Sequence, residues 1–197
     1  PPAPTTTVPD PMAQRSPLTG QLAAPELRTR PVVAVKFDNV DGRSTPQMGI
    51  NAADVVHEIQ VEGQITRLLA LYQLSDVGPI GPVRSARGTE IGILEELNYP
   101  LFTWHGANGI LGPLVRAAKI HPRSFDDNPE LFFRRGDRPI PYNSFVHGTG
   151  QIRATAPPGA TGPTGPLFSF ALGGEAPSPH ARPASTVTIR WPPPFGA

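Results

Sequence analysis

Residues 61–72 read VEGQITRLLALY, and the second half of this stretch decides the fold class. Between Ile65 and Leu74 apolar side chains occupy both sides of the chain, which is typical of a strand covered on both faces of a sheet. Residues 31–37 (PVVAVKF) and 101–105 (LFTWH) predict two further strands. A sheet built from these strands needs helices to cover it.

Helical patterns lie between the strands. Asn51, with Asp54 three residues on, has the spacing of a helix-capping pair and precedes an apolar side formed by Val55, Val56 and Ile59. Residues 86–97 predict a second helix, and Pro113 suits the first position of a short third one. The alternation predicts an α/β fold, a three-layer-type mixed sheet covered by helices, with extended Pro-rich tails.

Proline placement predicts the domain limits. The prolines concentrate before residue 32 and after residue 156. Residues 1–16 are Pro- and Thr-rich with little to bury, so we expect a disordered tether there. Residues 17–156 form the α/β domain and 157–166 a flexible Gly/Pro loop. Residues 167–197 supply C-terminal strands, expected at 167–172 and 186–191, and then the start of a linker to a further domain.

The residues 81–88, GPVRSARG, place two arginines and a serine where a loop is expected to turn into a helix. Helix starts favour acidic residues, because the exposed N–H groups and the dipole there are positive. An anion shared by Arg84, Ser85 and Arg87 would resolve the conflict. Salt bridges to neighbouring carboxylates would resolve it equally well.

Arg67 lies inside the strand that decides the fold. A guanidinium in a doubly covered strand is tolerated when it is paired, so we expect Glu58, Glu62 or Asp38 beside it, or a ligand. If the strands are parallel, polar residues that follow them share one edge of the sheet, where ligands of open α/β sheets bind. This edge would collect Asp38, Asn39, Arg84, Ser85 and His105.

Several of these residues have ordinary structural explanations. Asp38 and Asn39 can form an Asx turn, and a lone histidine such as His105 is more often hydrogen-bonded in a core than catalytic. Glu62 and Glu58 are the candidates for a general acid or base, with His105 assisting.

Composition and motifs exclude several function classes. A net charge of +1 argues against broad nucleic-acid binding. No Walker, dinucleotide-binding or zinc motif and no serine-hydrolase elbow is present, so we expect neither a cofactor nor a metal. No apolar run is long enough to span a membrane, and the absence of cysteine leaves the redox compartment open.

A series of short motifs runs through the chain in a fixed order: residues 17–20 (PLTG), 30–39 (RPVVAVKFDN), 46–58 (PQMGINAADVVHE), 61–63 with 66–67, and 81–87. Through these motifs the chain resembles the N-terminal domain of the YerB-like family of bacterial envelope lipoproteins, a family of unknown function. The resemblance covers about residues 17–147, and Tyr142 stands where the family tends to have a histidine, before Asn143.

The resemblance implies an extracytoplasmic protein, either a membrane-anchored lipoprotein or a secreted one. Its signal peptide and lipid-bearing cysteine would lie upstream of this chain, and its second domain downstream. The resemblance implies no activity.

Two function classes remain. The first is a non-catalytic envelope module that binds a cell-wall fragment, an anionic small molecule or an envelope protein through an arginine-lined cleft. Its ligand-binding residues would be Arg67, Arg84, Ser85, Arg87, Asp38, Asn39, His105 and Asn143. The alternative is an enzyme acting on a cell-wall or carbohydrate-like substrate, with a glutamate as acid or base.

Overall fold

The computed structural model describes residues 12–40, 42–171, 176 and 178–190. Its centre is a five-stranded mixed sheet with the strand order β2-β3-β1-β4-β5. Strand β3 is antiparallel to both of its neighbours, β2 and β1, whereas β1, β4 and β5 run parallel to one another. The strands are β1 (Val33–Asp38), β2 (Val55–Gln60), β3 (Thr66–Tyr72), β4 (Leu101–Trp104) and β5 (His121–Ser124).

Short helices and one hairpin complete the described part of the fold. The hairpin pairs β6 (Phe132–Arg134) with β7 (Ser144–Val146). The α-helices are α1 (Pro25–Arg28), α2 (Ile91–Glu95), α3 (Leu111–Ala117) and α4 (Thr149–Ala154). Single 3₁₀ turns lie at Ile50–Ala52, Glu62–Gln64, Gly88–Glu90 and Pro129–Leu131.

The central sheet is buried on both faces, which confirms the predicted α/β class. Strand β1 is buried along its whole length, because alternate side chains enter two different cores. One core joins Ala34 to Leu94 of α2 and Val115 of α3. The other joins Val35 to Val146 of the hairpin and Ile152 of α4. The molecule therefore has three layers around the sheet.

The helix predicted from Asn51 is wrong. Residues 50–52 form a 3₁₀ turn, and residues 55–60 are strand β2, paired antiparallel with β3. The Asp54 carboxylate accepts the N–H groups of Gln73 at 2.5 Å and Leu74 at 2.9 Å. The residue that resembles a helix cap therefore ties two neighbouring strands together.

The other two helices are shifted or shortened. The predicted helix at 86–97 is a 3₁₀ turn at Gly88–Glu90 followed by the five residues of α2. The third helix begins at Leu111, two residues before Pro113. Arg84 thus lies outside the helices, in a segment that bonds to Lys36 of β1 and to His105, directly after β4.

The predicted C-terminal strands are not formed in the described residues 167–171 and 186–190. Instead, residues 161–170 fold back on the start of the domain, and we call this segment the C-terminal clasp. The N–H of Gly162 donates to the Thr29 carbonyl and that of Leu167 to the Pro17 carbonyl, both at 2.7 Å. The loop predicted to be flexible is therefore held at residue 162 by backbone hydrogen bonding.

The predicted tether falls partly outside the described residues, since residues 1–11 are not among them. Its last two residues are part of the fold. Arg15 forms a β-bridge with Leu22, and the Ser16 side chain is buried.

Candidate functional site

The end of the sheet where β1 and β4 finish brings together the polar residues predicted to meet there. The reason differs from the prediction, because β3 is antiparallel to β1 and starts at this end with Arg67 opposite Asp38. The chain after β3 then returns along the sheet. Here the Arg84 N–H donates to the Lys36 carbonyl at 2.9 Å, and the Arg84 carbonyl accepts the His105 N–H at 3.1 Å.

Arg84 forms an ion pair with Asp38 through its Nε. Asp38 is almost completely buried, and its second oxygen accepts the Val40 N–H at 3.0 Å. The Arg84 guanidinium also lies 5.6 Å from the centre of the Tyr142 ring, within reach of a cation–π contact. Asp38 is thus a fixed structural partner of Arg84.

Arg67 is a buried cation whose hydrogen bonds are incomplete. It is 5% exposed, and its Nη1 donates to the Ser85 carbonyl at 2.9 Å. Its buried Nε has no hydrogen-bond partner, and no carboxylate of the described residues lies within 4.0 Å of it. The predicted pairing with Glu58, Glu62 or Asp38 is therefore wrong within the described part of the chain.

The charges around Arg67 work against its ionised form. Burial, together with the nearby guanidinium groups of Arg87 and Arg84, lowers the pKa of Arg67 to about 10. Asp38 and Glu62 oppose this effect. These groups give three cations and two anions, so the described residues leave one positive charge without a counter-charge. We call Arg67, Arg84 and Arg87 the Arg67 cluster.

Arg87 is paired with Glu62 rather than with an external anion. Its Nε lies 2.8 Å from Oε1 and 2.7 Å from Oε2 of Glu62. The Glu62 side chain is 64% exposed, whereas that of Arg87 is 17% exposed. The hydrogen bond from Arg87 lowers the pKa of Glu62, which favours the carboxylate and opposes a role as general acid.

Arg87 does lie at a helical start, and of the two explanations for these arginines the salt bridges to protein carboxylates are formed. Arg87 lies immediately before the 3₁₀ turn at Gly88–Glu90, and its N–H donates to Glu90 Oε1 at 2.6 Å. Its side chain is neutralised by Glu62. The helix that follows has five residues, which is too short for a dipole to create a site by itself.

Glu90, which accepts the Arg87 N–H, also forms a buried ion pair with Lys36. The sequence analysis did not predict this pair. Lys36 Nζ lies 3.0 Å from Glu90 Oε2, and both side chains are fully buried. Burial lowers the pKa of Lys36, while Glu90 acts to raise it. The signal in the sequence is a lysine in the middle of the apolar run VVAVKF.

Ser85, Asn39 and Glu58 lie nearby without contacting the Arg67 cluster through their side chains in the described structure. Ser85 takes part through its carbonyl oxygen, which Arg67 contacts. Asn39 Nδ2 donates to Thr66 Oγ1 at 2.8 Å, and that hydroxyl donates to Glu58 Oε1 at 2.6 Å. Asn39, Thr66 and Glu58 thus form a separate chain of hydrogen bonds at the start of β3.

His105 lies in an aromatic environment. Its Nδ1 is 2.6 Å from Ser144 Oγ, and its ring stacks on Phe125 with centroids 4.0 Å apart. Burial and the positive charge of Arg134 lower the pKa of His105, so the neutral ring dominates at neutral pH. Ser144, a partner that the sequence did not reveal, is itself buried.

Asn143 lies next to Ser144 and is used by the hairpin. Its Oδ1 accepts Arg134 Nη1 at 2.8 Å, and its carbonyl accepts the Arg135 N–H at 2.9 Å. These contacts hold Asn143 in the hairpin, and neither of them reaches the Arg67 cluster.

A groove opens beside the Arg87–Glu62 pair, and we call it the Arg87 groove. Its volume is about 500 Å³. It is lined by Gln60, Val61, Glu62, Arg87, Gly88, Thr89 and Leu111.

Within the described ranges, no three His, Asp or Glu side chains converge as a metal site would require. In the same ranges, no helix is long and apolar enough to cross a membrane.

Comparison with known proteins gives the family. The model of the family described as "Protein of unknown function (DUF3048) N-terminal domain" matches residues 18–158. The chain is 34% identical over 133 residues to "Putative lipoprotein YerB" of Bacillus subtilis, an alignment that covers 67% of this chain and 40% of the relative.

The crystal structure of YerB protein from Bacillus subtilis superposes with a TM-score of 0.67 at 28% identity. The match covers 78% of this chain and 53% of that one, so the chain spans about half of the solved relative. The chain belongs to the YerB-like family and carries its N-terminal domain of unknown function.

Proposed function

We propose that this domain is a non-catalytic binding module that takes up an anionic group at the Arg67 cluster. The observation that carries the proposal is Arg67, an almost fully buried guanidinium whose Nε has no hydrogen-bond partner and which has no carboxylate within 4.0 Å among the described residues. A buried cation without a counter-charge is costly, and a bound anion would remove that cost.

The two carboxylates of the cluster differ in how easily a ligand could replace them. Asp38 is buried and held by Val40 and Arg84, so it stays in place. Glu62 is mostly exposed and could rotate into water at little cost. An incoming anion would therefore compete with Glu62 for Arg87 and gain the attraction of Arg67.

The location of the protein is part of the proposal. The relative in Bacillus subtilis is named as a lipoprotein. We take this to support an extracytoplasmic, membrane-anchored setting, in which wall fragments, anionic metabolites and acidic segments of envelope proteins are the available ligands. The enzyme alternative has no comparable support, since Glu62 is held as a carboxylate and Ser144 is buried.

Anion titration monitored by thermal unfolding tests this function. Sulfate, phosphate and acetate should stabilise the protein, and a ligand at 100 times its dissociation constant adds about 2.7 kcal/mol. The variant Glu62→Gln should bind more tightly, because the internal competitor loses its charge. Arg67→Met should abolish the effect.

The matched control is Arg116→Gln. Arg116 also pairs with carboxylates, Asp126 and Asp127, but at another place on the surface. It should leave anion binding unchanged. If neither the wild type nor Glu62→Gln responds to any anion, or if Arg67→Met responds equally, the proposed function is refuted.

A further inference from the structure

The Arg87 groove combines one charged wall with apolar surface. Val61 and Leu111 supply the apolar side chains, and Arg87 and Glu62 supply the charge. Its volume of about 500 Å³ lies within the range of small-molecule pockets. The groove is thus suited to a compact ligand with two chemically different ends.

The position of Leu111 is fixed by the start of α3. Asn108 Oδ1 accepts the Leu111 N–H at 2.7 Å and the Ile110 N–H at 3.2 Å, which holds this turn in place. Leu111 is half-buried, whereas Leu114, one turn further along the helix, is 55% exposed and does not line the groove. Leu111 therefore offers a positioned apolar surface close to Arg87.

Glu62 indicates which anion suits Arg87. Both carboxylate oxygens lie within 2.8 Å of the Arg87 Nε, so the site already accommodates a planar carboxylate. The Arg67 cluster has one positive charge in excess of its described carboxylates. A ligand carboxylate can take the place of Glu62 while the rest of the ligand remains in the groove.

We infer that the ligand is a small carboxylate with an apolar substituent, whose carboxylate binds Arg87 and whose substituent packs on Leu111 and Val61. This inference rests on the proposed function, because it needs the Arg67 cluster to bind anions. It goes further by naming the ligand class, which a cluster of arginines alone does not specify.

Calorimetric titration with acetate, butyrate and hexanoate at constant ionic strength tests the inference. A fully buried methylene contributes about a fourfold gain in affinity. Since the groove is open on one side, we expect hexanoate to bind roughly tenfold more tightly than acetate. Leu111→Ser should bring the affinity for hexanoate down to that for acetate.

Two further variants keep the test decisive. Leu114→Ser changes an exposed leucine of the same helix outside the groove, so it should retain the tenfold gain. Thr89→Trp places a large side chain in the groove and should weaken hexanoate but not acetate. Circular dichroism and thermal unfolding establish that each variant is folded.

The possible failures separate the inference from the proposed function. Equal affinity for acetate and hexanoate, binding of inorganic phosphate without any carboxylate, or a hexanoate gain that survives both Leu111→Ser and Thr89→Trp would overturn the inference alone. Absence of all anion binding would refute the proposed function as well.

Discussion

Two groups of arginines lie at opposite ends of the central sheet, and they differ in how completely their charges are satisfied. At the end where β3 finishes, Asp76 is shared by Arg30 and Arg153, a group we call the Asp76 cluster. Arg153 also donates to the Tyr72 carbonyl at 3.2 Å. At the other end, Arg67 donates one hydrogen bond, to the Ser85 carbonyl, and has no carboxylate within 4.0 Å among the described residues.

This is the difference we expect between a structural cluster and the proposed binding site. Burial raises the pKa of Asp76, but the two arginines outweigh this effect and lower it, as in an internally paired cluster. Burial lowers the pKa of both Arg153 and Arg67, but Asp76 opposes the shift of Arg153 through a hydrogen bond, whereas Asp38 and Glu62 act on Arg67 by charge alone. An arginine that is fully paired with groups of the protein contributes to stability. An arginine that is incompletely paired is a candidate for binding a ligand.

The largest expected effect tests the buried pair beneath the Arg67 cluster. Lys36→Met leaves the fully buried Glu90 without its cation, so we expect a loss of about 3–5 kcal/mol in the free energy of unfolding, measured with urea. The double variant Lys36→Met/Glu90→Gln removes the stranded charge and should recover most of the loss. A loss below about 1 kcal/mol would show that water reaches this pair.

The Asp76 cluster should respond next. Arg153→Met removes a partner of Asp76 and leaves the Tyr72 carbonyl without its donor, which we expect to cost about 2–3 kcal/mol in urea unfolding. The exposed pair of Arg116 provides the control, because Arg116→Met should cost less than about 1 kcal/mol. Equal losses of unfolding free energy for the two variants would show that the Asp76 cluster contributes no more than a surface ion pair.

The decisive variant for the comparison is Arg67→Met. No described carboxylate is stranded by this change, and repulsion from Arg84 and Arg87 is relieved, so stability should stay within about 1 kcal/mol of the wild type. Thermal stabilisation by sulfate or acetate should disappear at the same time. A loss of about 3 kcal/mol or more would show that Arg67 is internally paired like Arg153.

The smallest expected effect concerns pH. Burial and Arg134 lower the pKa of His105 below the value of about 6.5 that it has in the unfolded chain, so between these values the unfolded state binds more protons. Stability should therefore fall as the pH drops below about 6.5, until the folded-state pKa is passed. His105→Gln should flatten this part of the stability–pH curve, and an unchanged slope would contradict the assignment.

The strands predicted correctly from the sequence are those with a distinctive local pattern of apolar residues. Strands β1, β3 and β4 were found because each is a continuous apolar run that only a doubly covered sheet explains. Strand β2 was mistaken for a helix, since its half-exposed pattern is decided by pairing with β3. The strands β5, β6 and β7, each of three or four residues, are too short to show a period of their own.

Part of the predicted polar cluster forms, but for a reason other than the predicted one. Asp38, Arg84 and His105 do meet at one end of the sheet, although β3 runs opposite to the predicted direction. The charge balance could not be predicted, because whether Glu62 pairs with Arg67 or with Arg87 depends on a hairpin turn that local sequence does not determine.

The C-terminal clasp has a consequence for how the protein is made. It joins Leu167 to Pro17, and Leu167 packs on the same core as the buried Leu18, about 150 residues earlier in the chain. At 5–20 residues per second, a ribosome needs roughly 10–30 s to synthesise that interval. The contacts that Leu167 makes with the first segment of the domain therefore form only after that interval.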